Sequence, residues 1–178
     1  QPDFYSGSAH KWPCGARECG VLYVNKTAQA KLWPSVYSAY PGAVGFSKTF
    51  ESFGQRDEAT MIAMHEALTL QTKVGRAAIE TRSRALTTQV MEGLAKIPGI
   101  TNWTSPVAAR RVAVVSFVPG TLDAGKLATA LYTNDRIGIT TRGGQDRPGI
   151  RVSPHFYNSP AEVDRFVSAV AKYMKSGI

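Results

Sequence analysis

A change of hydrophobic period at Pro98-Gly99 constrains this chain more than any other feature. Before it, Ile79, Leu86, Val90, Leu94 and Ile97 recur at helical spacing, which makes one face of a long helix apolar. Pro98 has no N–H to continue the helix, and the helix stops there. After it, apolar residues come in short runs that read as strands: 112–118, closed by Pro119-Gly120, then 137–141 and 150–153. Two more helical patterns are interleaved with them. Thr121 is placed to cap one that carries Leu127, Ala128, Leu131 and Tyr132. Ser159-Pro160-Ala161-Glu162 has capping-box spacing with Pro at the first helical position, ahead of Val163, Phe166, Val167, Val170 and Met174. Short strands alternating with helices predict an α/β fold.

Upstream, residues 3–19 are a loop-like stretch of Gly, Ser, Pro, His and Trp. Gly20-Val21-Leu22-Tyr23-Val24, ended by Asn25, reads as a buried strand. Residues 32–54 show no period, and a long irregular segment of that kind commonly wraps a site or an interface. Asp57 and Glu58 bias the first turn of a helix in which Met61, Met64 and Leu68 recur. Gly75 marks the bend between the two helices, or the passage between domains.

Composition narrows the function classes. A chain of 178 residues fits one domain, or one domain plus part of another, and 43% hydrophobic content excludes a disordered tail. No apolar run is long enough to span a bilayer, and two cysteines exclude a disulfide-stapled scaffold. The chain opens Gln1-Pro2-Asp3, without an initiator Met or a charged-then-apolar leader. The net charge of +8 invites nucleic acid, but basic residues are scattered from Lys11 to Lys175 and no run exceeds Arg110-Arg111. One local excess stands out: Arg136, Arg142, Arg147 and Arg151 lie within sixteen residues. That cluster suits capture of a carboxylate or phosphate, or it is a solvated rim.

Metal chemistry is not expected. His10, His65 and His155 are far apart, Cys14 and Cys19 have C-x4-C spacing, and His65-Glu66 lacks a second histidine one helical turn on. Ser6 and Ser8 do not sit in a G-x-S-x-G elbow, and there is neither a P-loop nor a dinucleotide fingerprint. Cys14 and Cys19 are either reactive thiols near Lys11 and Arg17 or small residues packed near a strand start. Lys11, in Ser8-Ala9-His10-Lys11-Trp12 just ahead of the 20–24 strand, is either a Schiff-base amine or a surface lysine.

Asp3-Phe4-Tyr5, Ser8-Ala9-His10-Lys11, Gly15 and Gly20-Val21-Leu22-Tyr23-Val24 together resemble the cofactor-lysine segment of the class V aminotransferase family. These are pyridoxal-phosphate enzymes of fold type I, among them cysteine desulfurases and isopenicillin N epimerase, and the His-Lys-Trp variant is closest to the epimerase-like branch. The resemblance continues through Phe50-Glu51, Phe53-Gly54-Gln55-Arg56-Asp57, Arg142 after a strand, and Gly149-Ile150-Arg151-Val152-Ser153-Pro154-His155-Phe156-Tyr157-Asn158 with Glu162-Val163-Asp164. It covers essentially the whole chain in order.

By that resemblance Lys11 would hold pyridoxal 5'-phosphate as a Schiff base and act as general base at the substrate's alpha carbon. Ser8 and His10 would bind the cofactor phosphate, with Gln55 a further cofactor contact where many relatives have a small hydroxyl residue. Arg151 would grip the substrate carboxylate, and Arg142 would be a second substrate-binding arginine. Alternation supports this, since Ile150 and Val152 point to one face of a strand while Arg151 and Ser153 point to the other. Cysteine desulfurases carry a nucleophilic cysteine shortly after the arginine that Arg142 matches. Here Gly143-Gly144-Gln145-Asp146-Arg147 has none.

Family members are much longer, with the lysine near the middle of the chain. The resemblance therefore implies a C-terminal half: residues 1–74 the end of the large cofactor domain, and 75–178 the small α/β domain. The expected activity is an amino-acid aminotransferase or epimerase. The alternatives are a cysteine desulfurase or C–S lyase, and a non-catalytic half-domain serving as a binding or assembly partner. A homodimer, a separate N-terminal half, no nucleic acid and no membrane complete the expected partners, with the cytoplasm as compartment.

Overall fold

A computed structural model describes residues 1–35, 50, 57–144 and 146–178. The chain divides into two compact units, Gln1–Val74 and Gly75–Ile178. In the first, strands β1 (Phe4–Ser8) and β2 (Gly20–Val24) pair antiparallel, with Phe4 opposite Val24 and Ser8 opposite Gly20. A short 3-10 turn at Gln29–Lys31 and helix α1 (Glu58–Val74) complete its described elements. Asp57 caps α1: its carboxylate accepts the Thr60 N–H at 3.2 Å and the Thr60 hydroxyl. The Thr60 hydroxyl, chiefly, holds that carboxyl below its ordinary pKa.

The second unit holds the large core. It runs α2 (Arg76–Ala95), β3 (Ile100–Asn102), β4 (Val115–Pro119), α3 (Ala124–Asp135), β5 (Thr140–Arg142), β6 (Gly149–Val152) and α4 (Pro160–Ser176). The four strands form one antiparallel sheet in the order β3-β4-β6-β5. Leu86, Val90 and Leu94 of α2 pack with Val115, Phe117, Ile150 and Val152 of the sheet, and with Leu127 and Leu131 of α3 and Val163, Phe166 and Val170 of α4. Phe117 and Phe166 meet edge to face, 6.3 Å between ring centroids. One sheet face is thus buried under helices, and the other is left without a helix of this unit over it.

The capping box that starts α4 forms in full. Ser159 Oγ accepts the Glu162 N–H at 3.2 Å, and the Ser159 N–H donates to Glu162 Oε2 at 2.7 Å. That backbone bond, then the Asn158 and Ser159 side chains, lower the Glu162 pKa from its ordinary value. Gly75, with φ of 87°, separates α1 from α2.

Several sequence expectations are corrected. Residues 3–19 contain a strand, β1, which Ser6-Gly7-Ser8 disguised because such residues have low strand propensity and β2 supplies the pairing. The strand expected at 112–118 starts only at Val115, and the one at 137–141 is Thr140–Arg142. The expected cap Thr121 is replaced by Asp123, whose Oδ1 accepts the Lys126 N–H at 2.8 Å. A turn closed by the Leu122 N–H on the Pro119 carbonyl occupies Thr121 instead. Of the residues read on that helix, Leu127 and Leu131 are buried and Tyr132 is 67% exposed. The 20–24 strand buries only Val24, and Met61 and Leu68 of α1 are exposed. Most of residues 32–54 lies outside the described residues. No helix among the described residues is long and apolar enough to cross a membrane.

Candidate functional site

Lys11 stands on the 9–19 connection between β1 and β2, and that connection is tied down by backbone bonds. Ala9, fully buried, donates its N–H to the Cys19 carbonyl at 2.9 Å and accepts the Gly15 N–H at 2.8 Å. The Lys11 carbonyl accepts the Cys14 N–H at 3.0 Å, which closes a tight turn around the lysine. Gln71 of α1 donates to the Trp12 carbonyl at 3.2 Å. Gly15 is packed so closely that a Cβ there would lie 2.7 Å from the Ala9 carbonyl and 2.9 Å from Met64 Sδ. Only glycine fits. The loop backbone is therefore held while Ser8, His10 and Lys11 stay exposed. Lys11 makes no ion pair or side-chain hydrogen bond with a described residue.

Arg142 and Arg151 belong to the second unit and come together there. Arg151 lies opposite Thr140, and Arg142 lies opposite Gly149. Residues facing each other across an antiparallel pair point to the same side, and so do residues two apart along a strand. Arg142, Arg151 and Thr140 therefore share one face, which is the face the helices leave open. All three are exposed, whereas Ile150 and Val152 are buried on the other side. The expected alternation at 150–152 is what the strand shows. Neither arginine has an ion-pair partner among the described residues.

Gly149 holds this geometry in place. Its φ is 140°, and a Cβ there would come within 2.3 Å of the Phe117 carbonyl oxygen. Against Pro148, the residue before Gly149, sits Trp103, which the sequence did not single out. Its indole N–H donates to the Pro148 carbonyl at 3.1 Å, and the Arg147 guanidinium lies 5.8 Å from its ring centroid. The only sequence signal for Trp103 was its distance past Pro98-Gly99, and β3 is too short to announce itself. Arg136, grouped with the other arginines by sequence, lines a pocket with Val90, Val152 and Phe166 on the helix-covered side. It ends α3 in a left-handed conformation at φ 58°.

Gln55 lies outside the described residues. Cys19 Sγ donates to the Ala16 carbonyl at 2.9 Å and sits 4.0 Å from Met64 Sδ, so its thiol is taken up in packing the loop on α1. Among the described residues no three His, Cys, Asp or Glu side chains are placed to hold a metal ion.

Known proteins give this arrangement a family. The class-V aminotransferase family matches residues 1–166. Isopenicillin N epimerase of Streptomyces clavuligerus is 31% identical over 185 residues, covering 94% of this chain and 46% of that protein. The isopenicillin N epimerase of Amycolatopsis lactamdurans is 29% identical over 189 residues, covering 97% and 47%. Among solved structures, apo cysteine desulfurase from Thermococcus onnurineus NA1 superimposes with a TM-score of 0.83 at 22% identity, over 97% of this chain and 47% of that one. The chain spans about half the length of the curated relatives it matches. Its architecture is that of the C-terminal part of a fold type I enzyme. By the extent of that match, the chain belongs to the class-V aminotransferases, a family of pyridoxal-phosphate enzymes.

Proposed function

We propose that this chain is the C-terminal half of a pyridoxal-phosphate enzyme acting on an amino acid, with Lys11 as the residue that holds the cofactor. The observation that carries this reading is an exposed lysine, without an ion-pair partner among the described residues, on a loop whose backbone is fixed on both sides. The donor set suits the group: one amine able to condense with an aldehyde, and within three positions a hydroxyl and an imidazole able to hold a phosphate. When bound, the cofactor supplies an electron sink for charge at the substrate's alpha carbon.

The chain's own residues have separate tasks. Lys11 would take the proton from the alpha carbon; its return to that carbon with inverted configuration gives epimerisation, whereas amino transfer would need the proton placed on the cofactor's carbon instead. Ser8 and His10 donate to the phosphate. Arg151 grips the substrate carboxylate through its two parallel N–H groups, and Arg142 on the same face adds positive field. Residues 1–74 are the end of the cofactor domain, and 75–178 are the small domain.

The reading also takes the whole enzyme to be completed by an N-terminal half and to act as a homodimer. The first of these is supported by β1 and β2. Phe4 and Leu22 are exposed on one face of the pair, and Tyr5, Val21 and Tyr23 on the other. A two-stranded sheet with apolar side chains on both faces belongs inside a larger layered sheet.

The test is borohydride reduction of the protein after incubation with pyridoxal phosphate, followed by intact mass and a peptide map. A single pyridoxyl adduct on the Lys11 peptide is the expected result. Adducts spread over Lys26, Lys31 and Lys73 as readily as Lys11, or none, would overturn the assignment and favour a non-catalytic half-domain.

A further inference from the structure

Two arginines of the 136–151 cluster have no part in the reading above. Arg136 lies on the helix-covered side of the sheet, but Arg147 does not. Its position follows from strand register. Thr101 pairs with Val118 and Asn102 with Phe117. The next position brings Trp103 opposite Ser116, and the Trp103 N–H indeed donates to the Ser116 carbonyl at 2.8 Å. Ser116 pairs with Arg151, and Arg151 with Thr140. Trp103, Ser116, Arg151 and Thr140 therefore form one cross-strand row on the open face. Ser116, between them in the row, is small and buried.

Trp103 is anchored at both ends, by its backbone N–H on Ser116 and its indole N–H on Pro148. It remains 37% exposed, enough to support a guanidinium on its ring. Arg147 takes that place, 5.8 Å from the ring centroid. A stacked guanidinium keeps its N–H edge available and loses less freedom on binding an anion than a free one. Asp146, the only acid in the β5–β6 loop, pairs with none of the three arginines, and no other described carboxylate does. The face therefore presents guanidinium groups without a counterion among the described residues.

We propose that Arg147, held over Trp103, is a second carboxylate position on the face that carries Arg151, and that it selects amino acids with an acidic side chain. This rests on the reading of Arg151 as the anchor for the substrate's alpha carboxylate. Trp103 and Arg151 are two strands apart, which is about 10 Å at sheet spacing. That span suits a substrate whose second carboxylate is carried several carbons from the first. An uncharged side chain would leave Arg147 unpaired and gain nothing from it.

The experiment is an NMR titration of the 178-residue chain with glutarate and adipate against butyrate at matched ionic strength, following the Arg Nε–H and Trp indole N–H signals. Trp103→Phe assigns the indole signal. The expected result is a Kd for a dicarboxylate at least about fivefold below that of butyrate, with shifts at Trp103, Arg147 and Arg151 together. Arg147→Gln is expected to bring the dicarboxylate to the butyrate value and leave butyrate unchanged, and Arg147→Lys to restore only part of the difference. Equal affinity for the two ligand classes, or a preference that survives Arg147→Gln, would overturn the proposal. Arg151→Gln separates the two ideas. If it weakens every ligand, both stand; if butyrate binding is untouched by it, the Arg151 anchor falls, and with it the selection of acidic amino acids.

Discussion

Gly149 shows how much a single residue can govern on this sheet. It begins β6, faces Arg142 across the β5–β6 pair, and is the point where the strand passes closest to the Phe117 carbonyl. A methyl group there meets backbone, which cannot rotate away, and the φ of 140° is unfavourable for any L side chain. Gly149→Ala is therefore expected to lower stability by about 2 kcal/mol or more, read as a fall in the urea midpoint. Unchanged stability would mean that β6 can shift off β4. Lys11 is a contrasting case. Composition and spacing left it balanced between a surface lysine and a reactive amine, because its surroundings are set by bonds from Ala9, Cys19 and Gln71. Of these, Gln71 is distant in sequence.

At the scale of elements, α4 is where local code and structure agree most closely. Ser159, Pro160 and Glu162 state the start of the helix in four consecutive residues, and each makes its expected contact or stands at its expected position. The lowered Glu162 pKa gives this cap a pH signature. A carboxyl whose folded pKa is depressed adds stability that is present above its unfolded pKa and is lost as pH falls through the folded value. Ser159→Ala is expected to cost about 1 kcal/mol at neutral pH and to raise the Glu162 pKa part of the way back. The backbone N–H of residue 159 still donates, so the return is partial. Carbon-detected NMR titration of Glu162 in both proteins measures the shift, and an unmoved pKa would show that the Ser159 side chain plays no part. Strands β1 and β3 behave in the opposite way. Ser6-Gly7-Ser8 is not a strand by composition and Ile100-Thr101-Asn102 is too short to read as one, and each becomes a strand by pairing with a neighbour.

At the scale of the whole molecule, the two units differ in how they are held together. Large buried apolar side chains such as Phe117, Leu86, Leu94, Leu127 and Ile150 all belong to Gly75–Ile178. Among the described residues of Gln1–Val74, the buried apolar residues are Ala9, Val24, Ala28 and Ala67. Burial of apolar area is the main favourable term in folding, so the second unit is the more stable one. Hydrogen exchange by mass spectrometry is expected to show β4, β6, α2 and α4 protected, with β1–β2 amides exchanging about a hundredfold faster or more. Comparable protection in both regions would overturn this ordering. The same exposure on β1 and β2 explains why strand 20–24 looked buried in sequence. Its residues have the composition of an interior strand, while this chain covers only Val24.

The sequence by itself determined the α/β class, the apolar stripe of α2, the start of α4, the alternation at residues 150–152 and, through spaced motifs, the family. These are local properties: a period, a cap, or a run of side chains that reads the same wherever it sits. Tertiary structure alone decided which arginines stand together. Arg136, Arg142, Arg147 and Arg151 look equivalent along the chain. Strand register puts Arg142 and Arg151 on the open face, and Trp103, brought there from β3, holds Arg147 nearby. Arg136, on which α3 ends in a left-handed conformation, lies on the other side. Register depends on pairing between segments tens of residues apart, and no short window of sequence contains that information.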